Sequence, residues 1–600
     1  MTTQQLPNWN LSDLFDSLTD PKIQQVFSDT EDLSKQFEKR YKGKVESLSP
    51  KALVVAYQEL EACYSAFYKL SQYVRLSYSV NTQGEAEKVL LTQVESFASE
   101  LANRLLFFGL ELGKVKEDKA SEWLESDLCE DYHYPIQQTI KKAKFKLSEK
   151  EEQLVNLKDL TGCNAFQKLY GELTASFEFE MEVDGENKQM NGSELRALRL
   201  HKDPKVREEA MKLFFSAYER NKISFTHLFN TVTKDYVLET QLRGYTQPMQ
   251  AMNTGNDLPD EVVDLLHEVT NESYDLVQRY YRIKKEVLKL KKMTLADIYA
   301  PLPFAEKTIE WDTAKEMVLQ AFRAFDPDFE KIAQEMFDQQ RVDVPVKKAK
   351  RGGAFCSSST PDIYPYVLLN YLGKSRDVST LAHEFGHAIH AVFSQKQHLF
   401  NYHAILPLCE TASVFCEMCL IDYRRKTETH PVDKAVLLMD SLEDIFATSH
   451  RQNMFSNFEK TMHQAVGKSW VTAETFCDFY YQELKRMFGD VVEIPEHFKW
   501  EWSAIPHMID VPFYVHSYNF GNLLVIALYQ KFLSEGKEVF YPKLKALLQS
   551  GSSASPMKLT QAMGIDLSQK SFWQGSLTYI AGLIDELESL VAAHDLHALS

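Results

Sequence analysis

The stretch His383-Glu384-Phe385-Gly386-His387-Ala388-Ile389-His390 holds two histidines four residues apart, with a glutamate directly after the first. On an α-helix, positions i and i+4 lie one above the other on the same face. Two imidazoles placed this way can grip one tetrahedral zinc ion. Glu384 stands about a hundred degrees round the helix. It can reach a water beside that ion as a general base. The pattern alone also fits a core helix that happens to carry histidines, so its neighbours have to decide.

A catalytic zinc takes three protein ligands and keeps one position open. The third ligand is expected on a following element. The helix of His383 should run out near 395–398. Pro407 then precedes a second helical pattern, in which Glu410 is expected one turn inside the helix and Glu417 two turns further along the same face. An acidic residue on an apolar helix is costly unless it is paired or bound to metal. The two glutamates therefore read as one ligand and one carboxylate that orients a histidine. Ser379 or Thr380 is expected to help cap the histidine helix.

One further stretch has residue types that suit peptide chemistry. Before the helix, Val342, Val344 and Val346 alternate with other residues, Arg351 to Phe355 reads as a loop with close backbone approach, and 364–371 reads as a strand. Pro365 near its start predicts an edge strand, which can hold an extended peptide by main-chain hydrogen bonds. His390 and His516 read as structural.

The elements around these residues read as mainly helical. Apolar positions from Leu53 to Val74 recur at helical spacing, and Ser49-Pro50 supplies a cap and first-turn proline. The pattern breaks at 81–86 and resumes over 86–113, which suggests two antiparallel helices. Helical signals continue through 135–160. Residues 172–190 alternate around Asp184-Gly185, a hairpin signal. Asp203-Pro204, Pro259-Asp260 and Asp326-Pro327 each open a helix, and the one starting at 259 is expected to run without a break to 293. The predicted division is an N-terminal helical domain with a small hairpin region over 1–195 and a catalytic domain over 196–600.

Composition sets outer limits. A chain of 600 residues exceeds the ~250–300 residues at which single cores stop growing, so several folding units are expected. The 44% hydrophobic content and the 22 glycines and 20 prolines suit a globular, helix-rich chain. A net charge of −18 argues against nucleic acid or an anionic membrane surface as partner. The opening MTTQQLPNWNLSDLF lacks a basic segment followed by an apolar run, so no secretory signal is expected. The apolar stretch 520–532 is shorter than the ~20 residues of a membrane span. The eight cysteines are mostly scattered singly, as buried thiols in a reducing compartment are, and Cys416-x-x-Cys419 reads as core packing. A cytoplasmic location is expected.

The combination of HEFGHAIH with Glu-Thr-Ala-Ser-Val-Phe-Cys-Glu at 410–417 resembles the M3 family of zinc oligopeptidases, and within it the oligoendopeptidase F branch. Arg243-Gly244-Tyr245, Gly352-Gly353-Ala354-Phe355-Cys356, Leu368-Leu369-Asn370-Tyr371 and Asp377 to His383 carry the same resemblance, strongest over 195–585. It implies a mainly α fold of two helical halves flanking a deep substrate channel, with a small sheet beside the zinc helix. It implies one zinc ion per chain held by His383, His387 and Glu410, with Glu384 as base and Glu417 behind a ligand. The segment 505–518 resembles the family's substrate loop and helix, which implies roles for His507, Tyr514 and Tyr518. A developing oxyanion needs donors, tyrosine hydroxyls and a histidine ring supply them, and Tyr514 and Tyr518, four apart, can face one site together. The third tyrosine of mammalian members is Gly521 here, so which hydroxyl meets the scissile carbonyl stays open. Gly352, Gly353, Ala354 and Phe355 are expected to line the substrate. The implied activity is internal cleavage of short unstructured oligopeptides. A dipeptidyl carboxypeptidase-type exopeptidase is the nearest alternative, and a non-catalytic helical peptide-binding protein is the alternative from another class.

Overall fold

The computed structural model describes residues 6–304 and 307–599. Helices dominate. Among the described residues five short strands occur: β1 Glu178–Val183, β2 Glu186–Asn191, β3 Val342–Asp343, β4 Phe355–Ser357 and β5 Tyr366–Leu368. The chain builds two compact units, each from three separate stretches. The first comprises Met1–Lys144, Glu306–Lys426 and Lys531–Asp566; the second comprises Phe145–Ala305, Thr427–Gln530 and Leu567–Ser600.

In the first unit, Ser49 Oγ accepts the Ala52 N–H at 3.3 Å and Pro50 takes the first helical position. A proline N–H would have no helical partner there in any case, so the helix Pro50–Val80 starts where the sequence predicts. It buries Leu53, Tyr57, Leu60, Cys63, Phe67, Leu70, Tyr73 and Val74. The helix Glu85–Gly113 follows the break at 81–84, and both pack on Pro21–Tyr41. Aromatic pairs such as Phe37 on Phe108 (5.4 Å) and Tyr57 on Tyr132 (4.8 Å) fill the space between these helices and the residues that follow.

The same unit holds the three-stranded sheet. β5 pairs in parallel with β3 and antiparallel with β4. The run 364–371 therefore lies in the middle of its sheet, not at the edge as Pro365 suggested. Pro365 precedes the first paired residue, so its missing N–H removes no ladder bond. The Val367 and Leu369 N–H groups donate to Arg341 and Asp343 carbonyls at 2.9 and 2.8 Å. β4 takes an outer position. Behind this sheet, the helices Trp311–Phe325 and Pro327–Asp338 pack against Ser375–Phe393, the helix of His383. The Phe337 and Phe385 rings lie 4.8 Å apart.

In the second unit, β1 and β2 form the predicted hairpin. Val183 pairs with Glu186, and the two turn residues Asp184 (φ 53°) and Gly185 (φ 84°) both take the left-handed conformation that a tight hairpin needs. The alternation begins only at Glu178, because 163–175 is helical. The expected long helix from 259 to 293 is two helices, Asp260–Glu272 and Tyr274–Val287. Ser273 separates them. Its hydroxyl donates to the Thr270 carbonyl at 2.9 Å and meets His450 Nε2 at 3.0 Å. This is the local alternative that serine offers a helical backbone. The signal over 135–160 likewise resolves into His133–Ala143 and Glu149–Asp159, the second capped by Ser148.

Three buried cations in this unit are paired with carboxylates. The Lys284 ammonium, wholly buried, donates to the Ile298 carbonyl at 2.9 Å and pairs with Glu443. Arg451 pairs with Glu501, which also accepts the Tyr480 hydroxyl at 2.8 Å. Arg207 Nη2 reaches Asp297 Oδ1 at 2.6 Å, while Asp297 Oδ2 accepts the Thr294 N–H at 2.9 Å. The eight cysteines are free thiols. Among the described residues no helix is long and apolar enough to cross a membrane. Asp297→Ala leaves the buried Arg207 guanidinium without its counter-charge. It should lower the stability of this unit by roughly 3–5 kcal/mol, read by chemical denaturation.

Candidate active site

The helix Ser375–Phe393 buries Val378, Leu381, Ala382, Phe385, Ala388 and Ile389, and this fixes which way its other face points. Asp377 Oδ2 accepts the N–H groups of Leu372 and Lys374, at 2.8 and 3.1 Å, and so closes the first turn. Ser379 and Thr380, expected as caps, lie inside the helix, where the Thr380 hydroxyl donates to the Arg376 carbonyl at 3.0 Å. His383 and His387 stand on the less buried face, their rings 4.8 Å apart and nearly perpendicular.

Glu410 completes the cluster. It does not lie one turn inside a helix, as expected, but between two: the single turn Leu406–Cys409 and the helix Thr411–Thr427. Its carboxylate is aimed by Ser413 Oγ, which donates to Oε2 at 2.6 Å. Glu410 Oε2 lies 3.4 Å from His383 Nε2 and 3.2 Å from His387 Nε2. One ligand atom from each residue falls within 4.8 Å of the others. Ligands about 2.0–2.1 Å from a tetrahedral zinc are separated by about 3.3 Å, so these two separations fit such an ion. The donor set of two imidazoles and one carboxylate is also one that zinc accepts.

Two contacts hold this geometry. Gly386 lies one residue before His387. A Cβ there would meet Ser413 Cα at 2.4 Å and the Ala412 carbonyl oxygen at 2.5 Å. The two helix backbones therefore touch at Gly386, and that contact brings Glu410 to the histidines. Glu417 Oε1 lies 2.5 Å from His383 Nδ1. A proton held on Nδ1 by that carboxylate leaves the Nε2 lone pair directed at the cluster.

The electrostatics follow from burial and charge. Burial lowers the proton affinity of His383, but the hydrogen bond and charge of Glu417, then the charges of Glu410 and Glu384, outweigh it and raise its pKa to about 9. Burial raises Glu410, but His387 by hydrogen bond and charge, then His383 and Ser413, bring it down to about 2. Glu384 is pushed up by burial against the pull of the two histidines. Three carboxylates around two imidazoles leave an excess of negative charge that favours a bound cation. His390 stays outside it. Buried beneath His387, it is lowered to about 4 by burial, with His387 and His403 adding to the effect.

A cavity of about 320 Å³ opens beside the cluster. It is lined by Glu384, His387 and His390 and by Ala354, Phe355 and Cys409. Ala354 and Phe355 thus lie where a ligand beside Glu384 would meet them. Gly352 and Gly353 do not line it; they form the turn before β4. Gly353 has φ +79°, and Asn370 Nδ2 ties the turn by donating to the Arg351 and Gly353 carbonyls at 2.9 and 2.8 Å. Cys356, Tyr402 and His403 also line the cavity and were missed from sequence. Their signal is faint: a tyrosine and a histidine within twenty residues of the motif, on no regular pattern.

His507, Tyr514 and Tyr518 belong to the second unit and are close to one another. The Tyr518 hydroxyl lies 3.5 Å from His507 Nε2. The His507 and Tyr514 rings are parallel at 6.2 Å, and the Tyr514 and Tyr518 rings meet edge to face at 5.3 Å. Tyr518 is on the helix His516–Glu535, but Tyr514 is in the turn before it, so the two are not neighbours on one helix. His516 is fully buried, and its Nδ1 hydrogen-bonds the Phe513 carbonyl at 2.6 Å.

A family model described as Peptidase family M3 matches residues 197–579, and one described as Oligopeptidase F matches 111–179. Oligopeptidase PepF of Bacillus subtilis (strain 168) is 27% identical over 97% of this chain and 87% of its own length. An oligoendopeptidase F homolog of Borreliella burgdorferi is 27% identical over 97% of this chain and 98% of its own. Among solved structures, a putative peptidase from Chlamydophila abortus superposes with a TM-score of 0.87 at 22% identity, covering 97% of this chain and 98% of that one. Oligoendopeptidase-F from Enterococcus faecium gives 0.71 at 24% identity, covering 96% and 99%. The fold is therefore that of these peptidases.

Gly386→Ala forces the two helix backbones apart. It should destabilise the first unit by about 1–3 kcal/mol, as overpacking does. It should also reduce the divalent metal retained after dialysis, measured by elemental analysis alongside a denaturation curve.

Proposed function

The chain belongs to peptidase family M3, and we propose that it is a zinc-dependent endopeptidase cutting internal bonds of short, unstructured oligopeptides. The observation that carries this reading is the convergence of His383, His387 and Glu410 on one point, with Glu384 beside it in the cavity wall. The names of its relatives, oligopeptidase PepF and oligoendopeptidase F, support the substrate class and the internal cut. The free cysteines suit a reducing, cytoplasmic setting.

His383, His387 and Glu410 would hold one zinc ion per chain. When bound, such an ion supplies Lewis-acid polarisation of the scissile carbonyl and acidification of water. Glu384 takes the proton of the attacking water and passes a proton to the leaving amine. Glu417 keeps His383 in the ring orientation and tautomer that present Nε2. The outer strand β4, with Ala354 and Phe355 at its start, takes the peptide backbone as an added strand, and the Gly352-Gly353 turn sets where that strand begins. His507, Tyr514 and Tyr518 donate hydrogen bonds to the peptide or to its tetrahedral oxyanion. This role rests on the family resemblance and on the mutual contacts of the three side chains.

Glu384→Gln should keep its metal and lower kcat on an internally quenched peptide by about 10²–10⁴-fold, the range of a lost general base. Near-wild-type hydrolysis by this variant would overturn the mechanism. Chelation should abolish activity, and added zinc should restore it. A protein that binds peptides but hydrolyses none when loaded with zinc is instead a binding module. Product mapping separates endopeptidase from dipeptidyl carboxypeptidase. Peptides with free and amidated C-termini should be cut at the same internal bonds; a requirement for the free carboxylate would favour the exopeptidase.

A further inference from the structure

The segment that carries His507, Tyr514 and Tyr518 is held only in part by its own secondary structure. It consists of the single turn His507–Asp510, a turn over 512–515 in which the Tyr514 N–H donates to the Val511 carbonyl at 3.2 Å, and the first turn of His516–Glu535. Within 512–515, Phe513 has φ +61°. A bulky residue adopts this left-handed conformation only where its surroundings impose it, and such strain gathers at functional positions.

The surroundings are explicit. Glu459 Oε1, from the helix Arg451–Lys468, accepts the Phe513 N–H at 2.8 Å. His516 Nδ1 takes the Phe513 carbonyl at 2.6 Å. The Phe513 ring lies 4.4 Å from the His463 ring and 6.0 Å from Tyr236. Gln167 Nε2 holds the carbonyls of Ile509 and Asp510, at 2.9 and 3.3 Å, on the other side of the stretch. Both polar faces of the Phe513 peptide are thus gripped by buried side chains, one residue before Tyr514.

The grip is expensive in polar burial. Glu459 and His463 are each 1% exposed. Glu459 Oε2 and both ring nitrogens of His463 have no protein partner among the described residues. Their separation, 3.9 Å between Glu459 Oε1 and His463 Nε2, is too long for a hydrogen bond. An apolar pair would fill the same space without this cost. What an apolar pair cannot do is accept the Phe513 N–H.

We infer that Glu459 is a positioning residue for the peptidase reaction: with His516 it holds the Phe513 peptide in the conformation that sets the Tyr514 side chain. The inference rests on the role proposed for Tyr514. Burial raises Glu459 to about 8, so near neutral pH its carboxyl is largely uncharged. A carboxyl oxygen accepts the N–H in either state, and glutamine, the uncharged isostere, can do the same.

The test is a double-mutant cycle between Glu459→Leu and Tyr514→Phe on the zinc-loaded full chain. kcat and KM on a quenched peptide are normalised to bound zinc, and Tm is followed in parallel. Glu459→Leu should lower kcat about tenfold, the size of a typical coupling between residues that share a contact. It should not change zinc content, and Glu459→Gln should restore kcat to within about twofold. The double variant should be no slower than Tyr514→Phe alone. A Glu459→Leu protein with full kcat, or one that loses the same factor in the Tyr514→Phe background, overturns the inference while leaving the role of Tyr514 standing. Full activity of Tyr514→Phe removes that role, and the inference with it. If Glu459→Leu does not fold, Phe513→Gly takes its place, since glycine adopts φ +61° without strain and gives up the ring anchor. It should lower kcat in the wild-type background but not with Tyr514→Phe. An unchanged kcat, or an equal loss in both backgrounds, overturns the inference.

Discussion

One backbone contact governs the geometry of the cluster formed by His383, His387 and Glu410. The helix Ser375–Phe393 and the start of Thr411–Thr427 approach so closely at Gly386 that no side chain fits between them. Everything chemical follows from that approach. It sets Glu410 beside two imidazoles, and it lets Glu417, two turns further on, reach the back of His383. The histidine spacing is a property of one helix, but the third donor is a property of the contact. The apolar packing of Phe385 on Phe337 and the closure of the first turn by Asp377 serve the same end, because they fix the rotation and the start of the first helix.

The features legible in the sequence are those decided by near neighbours. His383 and His387 share a helix face because of their spacing. Ser49-Pro50, Asp203-Pro204 and Asp326-Pro327 open helices because cap and proline act within one turn. Asp184-Gly185 turns a hairpin because both residues tolerate positive φ. The misplaced features depend on distant partners. Ser273 breaks a helix with the help of His450, 177 residues away. β5 lies inside its sheet because β3 pairs on one side and β4 on the other, and a proline one residue earlier says nothing of that. Glu410 stands between two helices because Leu406–Cys409 is too short to have a period. The grip of Glu459 on Phe513 joins residues 54 apart and has no sequence pattern.

Buried polarity is handled in more than one way. Arg207, Lys284 and Arg451 in the second unit and Lys350 in the first each lie against a carboxylate, so opposite charges offset one another. At the cluster of His383 and His387, carboxylates outnumber the imidazoles they face, which leaves an excess of negative charge suited to a cation. The buried Glu459 and His463 belong to neither kind. Glu459 satisfies a single backbone N–H, that of Phe513, His463 meets only the Phe513 ring, and together they leave three of their own atoms without protein partners among the described residues.

The interleaved chain path has a consequence for synthesis. The helix carrying His383 packs against Lys537–Gln549, and both belong to the first unit. On the ribosome His383, His387 and Glu410 emerge more than a hundred residues before that cover does. A long stretch of chain that belongs to the second unit is made in between, so the first unit closes over a long loop. The apolar face of the histidine helix is therefore completed only when most of the polypeptide exists.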